Sequence, residues 1–404
     1  MTADQTLAKP LAGIRVLDIA TFIAAPFCAT LLAEFGAEVI KVEMPKNGDP
    51  VRRLGSMTEA GDSLIWLSEG RNKKSVTLDL RTLDGVRLFK QLAAEADVVC
   101  ENFRTGTLER WGIGYQTLAE INPGLIMLRV TGYGQTGPNA ERPSFGRIGN
   151  AFGGLSYLAG YSDRAPVTPG SATLADYMSG LFGAFGVMVA LRAREASSKG
   201  QVVDIGLYES IFRILDELAP AYDRFGFVRE RMGPATVNVV PHSHYQARDG
   251  RWLAIACTND RIFGRLAEVM GQPELAAADR FATIAAREEA RDTLDGLVSD
   301  WVGSKDADEI LTLCEKGAVP CGPVYSIDEI FKDPQYRSRG NIQSIEDPRI
   351  GALAVPGVVP RLSETPGHID NLGPPLGEHL TEVFGRMLGL DDRAIAELQS
   401  RGIV

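Results

Sequence analysis

Short apolar runs alternate with stretches of helical period through the first 135 residues. Residues 14–19, carrying Ile14, Val16, Leu17 and Ile19, read as a strand. Pro26 suits a first helical position, and Phe27, Leu31, Leu32 and Phe35 then recur at helical spacing until Gly36 ends the helix. Residues 38–43 form the next strand. The pattern repeats with strands at 76–80, 98–100 and 125–130 and a helix at 83–95. Strands alternating with helices of this length predict parallel βαβ units and a large, doubly wound α/β sheet. Residues 131–170, rich in Gly, Pro, Ser and Asn, read as loop. Helices follow at 174–196 and 207–222, flanking a strand at 201–205. A composition shift at 224–238 marks a crossover into a smaller α+β domain, placed at 224–319. It opens with strands 243–247 and 252–257 around an Asp249-Gly250 turn, then helices at 261–270, 286–302 and 307–316. From Pro320 the chain turns loop-rich, ending in an amphipathic helix at 377–388 and a short final helix.

Composition narrows the function classes. Among 404 residues, 42 Lys+Arg stand against 52 Asp+Glu, a formal charge of −10. That balance argues against sequence-independent nucleic-acid binding, which needs excess cations. Five scattered cysteines without a CxxC, and four histidines, predict neither a disulfide framework nor a closed zinc site. His242 and His244 share one strand face, but no metal is expected there. The stretch MTADQTLAKPLAG lacks a signal peptide's basic start and apolar run, and the apolar stretch 181–191 is too short to span a bilayer. A cytoplasmic protein without membrane contact is expected.

Three groups of residues suggest chemistry. The first βαβ unit closes on Glu43, as in dinucleotide-binding folds, but residues 20–26 lack the glycine fingerprint, which excludes close approach to a pyrophosphate. Arg71, Lys73, Lys74, Arg81, Arg104 and Arg110 concentrate positive charge near successive strands of an acidic protein, pointing to a phosphorylated ligand. Asn102-Phe103 adds an amide and an aromatic ring suited to a purine. Asp176 lies in the first turn of a very apolar helix, where Gly180, Gly183 and Gly186 recur every third residue. Such a helix is expected to be buried on most sides, with Asp176 either an ordinary first-turn carboxylate or a desolvated nucleophile.

Together these segments resemble the family III CoA-transferases, the formyl-CoA transferase and carnitine CoA-transferase group, over nearly the whole chain. The marks are FGAEVIKVE (35–43), GDPVR (48–52), RNKKSVTLDL (71–80), ENFR (101–104), GYGQTGP (132–138), VPCGPV (319–324) and PLGEH (375–379). The resemblance implies an interlocked, ring-like homodimer whose large domain, residues 1–223, is completed by the return segment 320–404. It puts the catalytic aspartate at Asp176 and CoA-binding positions at Leu78, Arg81, Asn102, Phe103, Arg104 and Arg110. The chain departs from the pattern at Ile23, where formyl-CoA transferase has a glutamine near the acyl group, and at Met44, where it has an adenine-side arginine. It also lacks that enzyme's glycine-rich loop between Pro241 and Asp260, so oxalate and formyl-CoA are not the expected substrates.

The implied reaction moves CoA from an acyl-CoA thioester to a carboxylic acid through an aspartyl mixed anhydride and an aspartyl-CoA thioester, with no permanent cofactor or metal. Backbone N–H groups at the loop–helix junction or at Gly153-Gly154 are candidate oxyanion donors. A small dicarboxylate is the expected acceptor, with Arg52, Arg147, His242 and His244 as candidates to hold its second carboxylate. The alternative is an acyl-CoA racemase of the same superfamily. It needs a second base, and residues 143–154 hold no histidine.

Overall fold

The computed structural model describes residues 9–171 and 173–404; residues 1–8 of the stretch read for a signal peptide, and Ala172, lie outside the described residues. The chain divides into two units. The larger comprises the described residues up to Ser156, Thr168–Val228 and Arg337–Val404. It holds a parallel sheet of β1 (Arg15–Asp18), β2 (Glu38–Glu43), β3 (Lys73–Thr77), β4 (Val98–Glu101), β5 (Ile126–Thr131) and β6 (Val202–Gly206), ordered β3-β2-β1-β4-β5-β6. Both faces are covered, so alternate residues enter different cores. Leu17, Ile40 and Val76 pack with helices Leu83–Ala94, Leu380–Leu388 and Asp392–Ser400. Val16, Val39 and Leu128 face helices Ala24–Glu34 and Leu174–Ser197. Strand order reverses between β1 and β4, which makes their carboxyl ends the place where such a sheet receives a ligand.

Helix Leu174–Ser197 seats itself through its glycines. A Cβ on Gly180 would lie 2.6 Å from the Ala24 carbonyl oxygen, one on Gly183 2.9 Å from Leu128, and one on Gly186 2.7 Å from Val203. The opposite side corrects the expectation of burial on most sides: Leu181, Phe185, Met188 and Val189 are exposed, Phe185 to 68%. With 24 residues and a window of mean hydropathy 1.5, the helix is long and apolar enough to cross a membrane, unlike the shorter 181–191 stretch; here its glycine face lies against helix Ala24–Glu34 and strands β5 and β6.

Other boundaries moved for local reasons. β3 starts at Lys73 because that side chain is buried against Asp18. Pro26 is the third residue of its helix, still within the first turn, where an N–H has no intrahelical partner. The span 207–222 splits into Leu207–Arg213 and Leu218–Phe225 around Asp216, whose φ is 42°. The span 286–302 breaks at Ala290, and the loop region 131–170 carries helix Gly146–Phe152. Pairing turns part of the tail into strands, β10 (Ile342–Asp347) against β11 (Gly351–Pro356). The smaller unit, Tyr157–Val167 and Arg229–Tyr336, wraps helices around an antiparallel sheet of β7 (His242–Gln246), β8 (Trp252–Ala256) and β9 (Cys321–Pro323).

Candidate active site

Two cavities open at the carboxyl ends of the strands. The first, about 930 Å³, is lined by the Thr21–Ala24 turn after β1, Asn102–Thr105 after β4, Thr131 and Gly132 at the end of β5, Arg142–Phe145 and Asp176. Asp176 is the third residue of its helix, and the Thr173 side chain makes no cap bond. Among the described residues, its carboxylate has no ion pair. Burial pushes its pKa up to about 6, opposed by its own backbone N–H. It is a desolvated carboxylate facing open space, as a nucleophile requires.

A buried ionic cluster holds the turn after β1. Lys41 lies 3.0 Å from Asp49 and 3.4 Å from Asp18, and donates to the Ala20 carbonyl; Lys73 lies 3.0 Å from Asp18 and donates to Pro26. Asp49 accepts the Phe22 N–H at 3.0 Å, holding that residue at a φ of 61°. Asn102 clasps Thr21 twice, accepting its N–H at 2.8 Å and donating to its carbonyl at 2.6 Å. The side-chain amide of Asn102 is therefore engaged by the protein rather than offered to a purine. This turn delivers Ile23 and Ala24, the start of helix Ala24–Glu34, into the cavity, where first-turn N–H groups lack intrahelical acceptors.

The second cavity, about 950 Å³, shares Thr21 and Phe103 with the first and adds Lys41, Met44, Leu78, Arg81 and Trp111. Phe103 and Trp111 meet edge to face at 5.0 Å. Arg81 is exposed and paired with Asp79 at 2.8 Å.

Of the positions singled out in the sequence, Asp176, Ile23, Asn102, Phe103 and Arg104 converge on the first cavity, and Leu78, Arg81 and Phe103 on the second. Arg110 lines neither; it is exposed and donates to Thr107 at 2.9 Å. Arg52 is corrected outright. It binds buried Glu43 at 2.6 Å, donates to the Pro374 carbonyl and stacks 3.8 Å from the Trp66 ring centre, so it is not free for a substrate. Glu43, held below the usual carboxylate range mainly by Arg52, is equally engaged, with Ser75 at 2.6 Å. Arg71 pairs with Glu34 at 2.6 Å and Lys74 with Glu38 at 3.1 Å, both by the amino-terminal start of β3 and away from the cavities. Arg147 is exposed and bonds Thr168, while His242 and His244 belong to the smaller unit; none of the three lines either cavity. The N–H groups of Gly153 and Gly154 are engaged by Gly149 and Ala151, which removes them as oxyanion donors. Arg142, Thr131, Lys41 and Asp49 were not among the candidate site residues: Lys41 and Asp49 stand in strand 38–43 and in GDPVR, whose patterns do not show that the two side chains meet, and Thr131 and Arg142 lie in a stretch that reads as loop.

Comparison with known proteins agrees with this architecture. A family model described as CoA-transferase family III matches residues 11–380. The chain is 52% identical to the succinyl-CoA–L-malate CoA-transferase beta subunit of Chloroflexus aurantiacus, covering 99% of each. It is 45% identical to the succinyl-CoA–D-citramalate CoA-transferase of the same organism, over 100% of both. Its structure resembles that of a CAIB/BAIF family protein from Brucella suis with a TM-score of 0.82 and 35% identity, covering 94% of this chain and 100% of that one.

Proposed function

This chain belongs to CoA-transferase family III and is a CoA-transferase, and from that footing we propose that it moves CoA from an acyl-CoA to a small dicarboxylic acid, with Asp176 as the relay. The observation carrying the reading is a desolvated carboxylate at a helix N-terminus, without an ion pair among the described residues, facing a cavity at the sheet's switch point. The dicarboxylate class is supported by relatives named for malate and citramalate transfer. CoA would lie along the second cavity, with Phe103 between its nucleotide and thioester ends and Arg81 and Arg104 near phosphates.

A carboxylate oxygen of Asp176 attacks the thioester carbonyl; the C–S bond breaks, giving a mixed anhydride and CoA thiolate. The thiolate attacks the aspartyl carbonyl, releasing the donor acid and leaving an aspartyl-CoA thioester. The acceptor carboxylate attacks this thioester, forming a second anhydride and thiolate. Thiolate attack on the acceptor acyl carbon releases the new acyl-CoA and regenerates Asp176. No proton is gained or lost, so no general base is required. Each tetrahedral intermediate carries an oxyanion, for which the Ile23 and Ala24 N–H groups, at a helix start lining the same cavity, are the proposed donors. The assembly we propose is an interlocked homodimer, supported by the uncovered apolar face of the Asp176 helix.

Incubating the protein with acyl-CoA but no acceptor tests the relay. Intact mass should reveal a covalent adduct that hydroxylamine or borohydride traps at Asp176. Asp176→Asn is nearly isosteric and should lose turnover by several orders of magnitude while staying folded. Near-parental activity in folded Asp176→Asn and Asp176→Ala proteins would refute the relay.

A further inference from the structure

The first cavity carries cationic side chains as well as the Asp176 carboxylate. Its cationic side chains among the described residues are Arg104 and Arg142. Guanidiniums elsewhere around the two cavities are engaged: Arg52 by Glu43, Arg53 by the Asn47 carbonyl, Arg81 by Asp79. Neither Arg104 nor Arg142 has a side-chain hydrogen bond or an ion pair within the described residues. In a chain of net charge −10, two exposed guanidiniums without a side-chain partner among the described residues line the same cavity as one carboxylate, a setting suited to an anion.

The two differ in position. Arg104 directly follows Phe103, one of the two residues common to both cavities, and so stands next in the chain to the boundary with the second cavity, where CoA is proposed to lie. Arg142 comes from the loop after β5; like Arg104, it lines the Asp176 cavity and not the second one. That loop is held in place while the side chain is not. The Arg142 N–H donates to the Asn139 carbonyl at 2.9 Å, and Thr105 donates to the Ala140 carbonyl at 3.0 Å. Gly132 leaves room for Ser144, whose Cβ lies only 2.1 Å from where a Cβ on Gly132 would stand.

We propose that Arg142 anchors the second carboxylate of the substrate acid, a specificity role that rests on the dicarboxylate reading above. A guanidinium fork takes a carboxylate with two parallel hydrogen bonds, fixing the direction of the chain between the acid's ends. Donor and acceptor pass through the same aspartate, so one anchor serves the acyl group of the incoming thioester and the acid that replaces it. An acid of similar length with a methyl in place of the second carboxylate gains nothing from the anchor.

Succinate and butyrate, with succinyl-CoA and butyryl-CoA, are the probes. Arg142→Ala is expected to lower kcat/KM for succinate roughly 10- to 100-fold and to slow adduct formation from succinyl-CoA, leaving butyrate and butyryl-CoA unchanged. Arg142→Lys, which keeps charge but loses the fork, should fall between. An unchanged melting temperature is expected, because the side chain has no partner to lose among the described residues. Equal losses with both donors would make Arg142 a CoA contact and overturn the proposal. A variant that still prefers succinate as the parent does would overturn the anchor while leaving the dicarboxylate reading intact. A parent enzyme that prefers butyrate would overturn both.

Discussion

At Asp176, reactivity and instability have one cause. Burial raises its pKa from 3.8 to about 6, so between those values the folded chain binds more protons than the unfolded one. Stability from this group is therefore complete below about pH 3.8 and is lost as pH rises through about 6. Near neutrality the ionised carboxylate costs ~1–3 kcal/mol. Asp176→Asn, inactive as a relay, is expected to melt higher than the parent at pH 7.5, the gap closing toward pH 4. Thermal unfolding across pH checks this, and equal melting at pH 7.5 would contradict the desolvation. Adduct formation in the parent should rise with pH through about 6, as the nucleophile ionises. Arg52 teaches the converse. It read as a free cation because Glu43, nine residues before it, and Pro374, far along the chain, are partners no local pattern pairs with it.

Two helices meet to present the site, and glycine sets how closely. Helix Leu174–Ser197 carries Asp176, and helix Ala24–Glu34 begins beside Ile23; Gly180 lies where the first crosses the second. Replacing glycine by alanine inside a solvent-exposed helix ordinarily stabilises by ~0.5–1 kcal/mol. Here the new methyl would meet the Ala24 carbonyl oxygen, a backbone atom, at 2.6 Å, so the sign should reverse. Gly180→Ala is expected to lose ~1–3 kcal/mol and most activity, by forcing apart the elements that hold nucleophile and oxyanion donors. Urea unfolding midpoints with turnover rates measure both; a stabilised, active variant would show the crossing is looser than described. The spacing of Gly180, Gly183 and Gly186 made this face legible. The break at Asp216 was not, because a positive φ in a helix-prone stretch follows from packing rather than composition.

The whole molecule leaves an apolar stripe of Leu181, Phe185, Met188 and Val189 uncovered on the helix that carries the nucleophile. Water contact over such a stripe is costly, and another chain relieves it. Light scattering is expected to give the mass of two chains at every practical dilution, since interlocked rings separate only by unfolding. A monomer appearing on simple dilution would exclude that assembly.

Periodicity alone specified the alternating strands and helices, the doubly wound sheet and the glycine face, because these depend on neighbours within a few residues. It also singled out Asp176, since a carboxylate opening so apolar a helix is conspicuous without a fold. Which cations were free was decided only in three dimensions. Lys73 and Arg71 are held by Asp18 and Glu34 across more than thirty residues, whereas Arg142, one arginine in an irregular loop, has no side-chain partner among the described residues and lines the same cavity as Asp176. Charge is a property of the residue, but its availability depends on what the folded chain brings within hydrogen-bond reach, and a linear pattern carries no record of that.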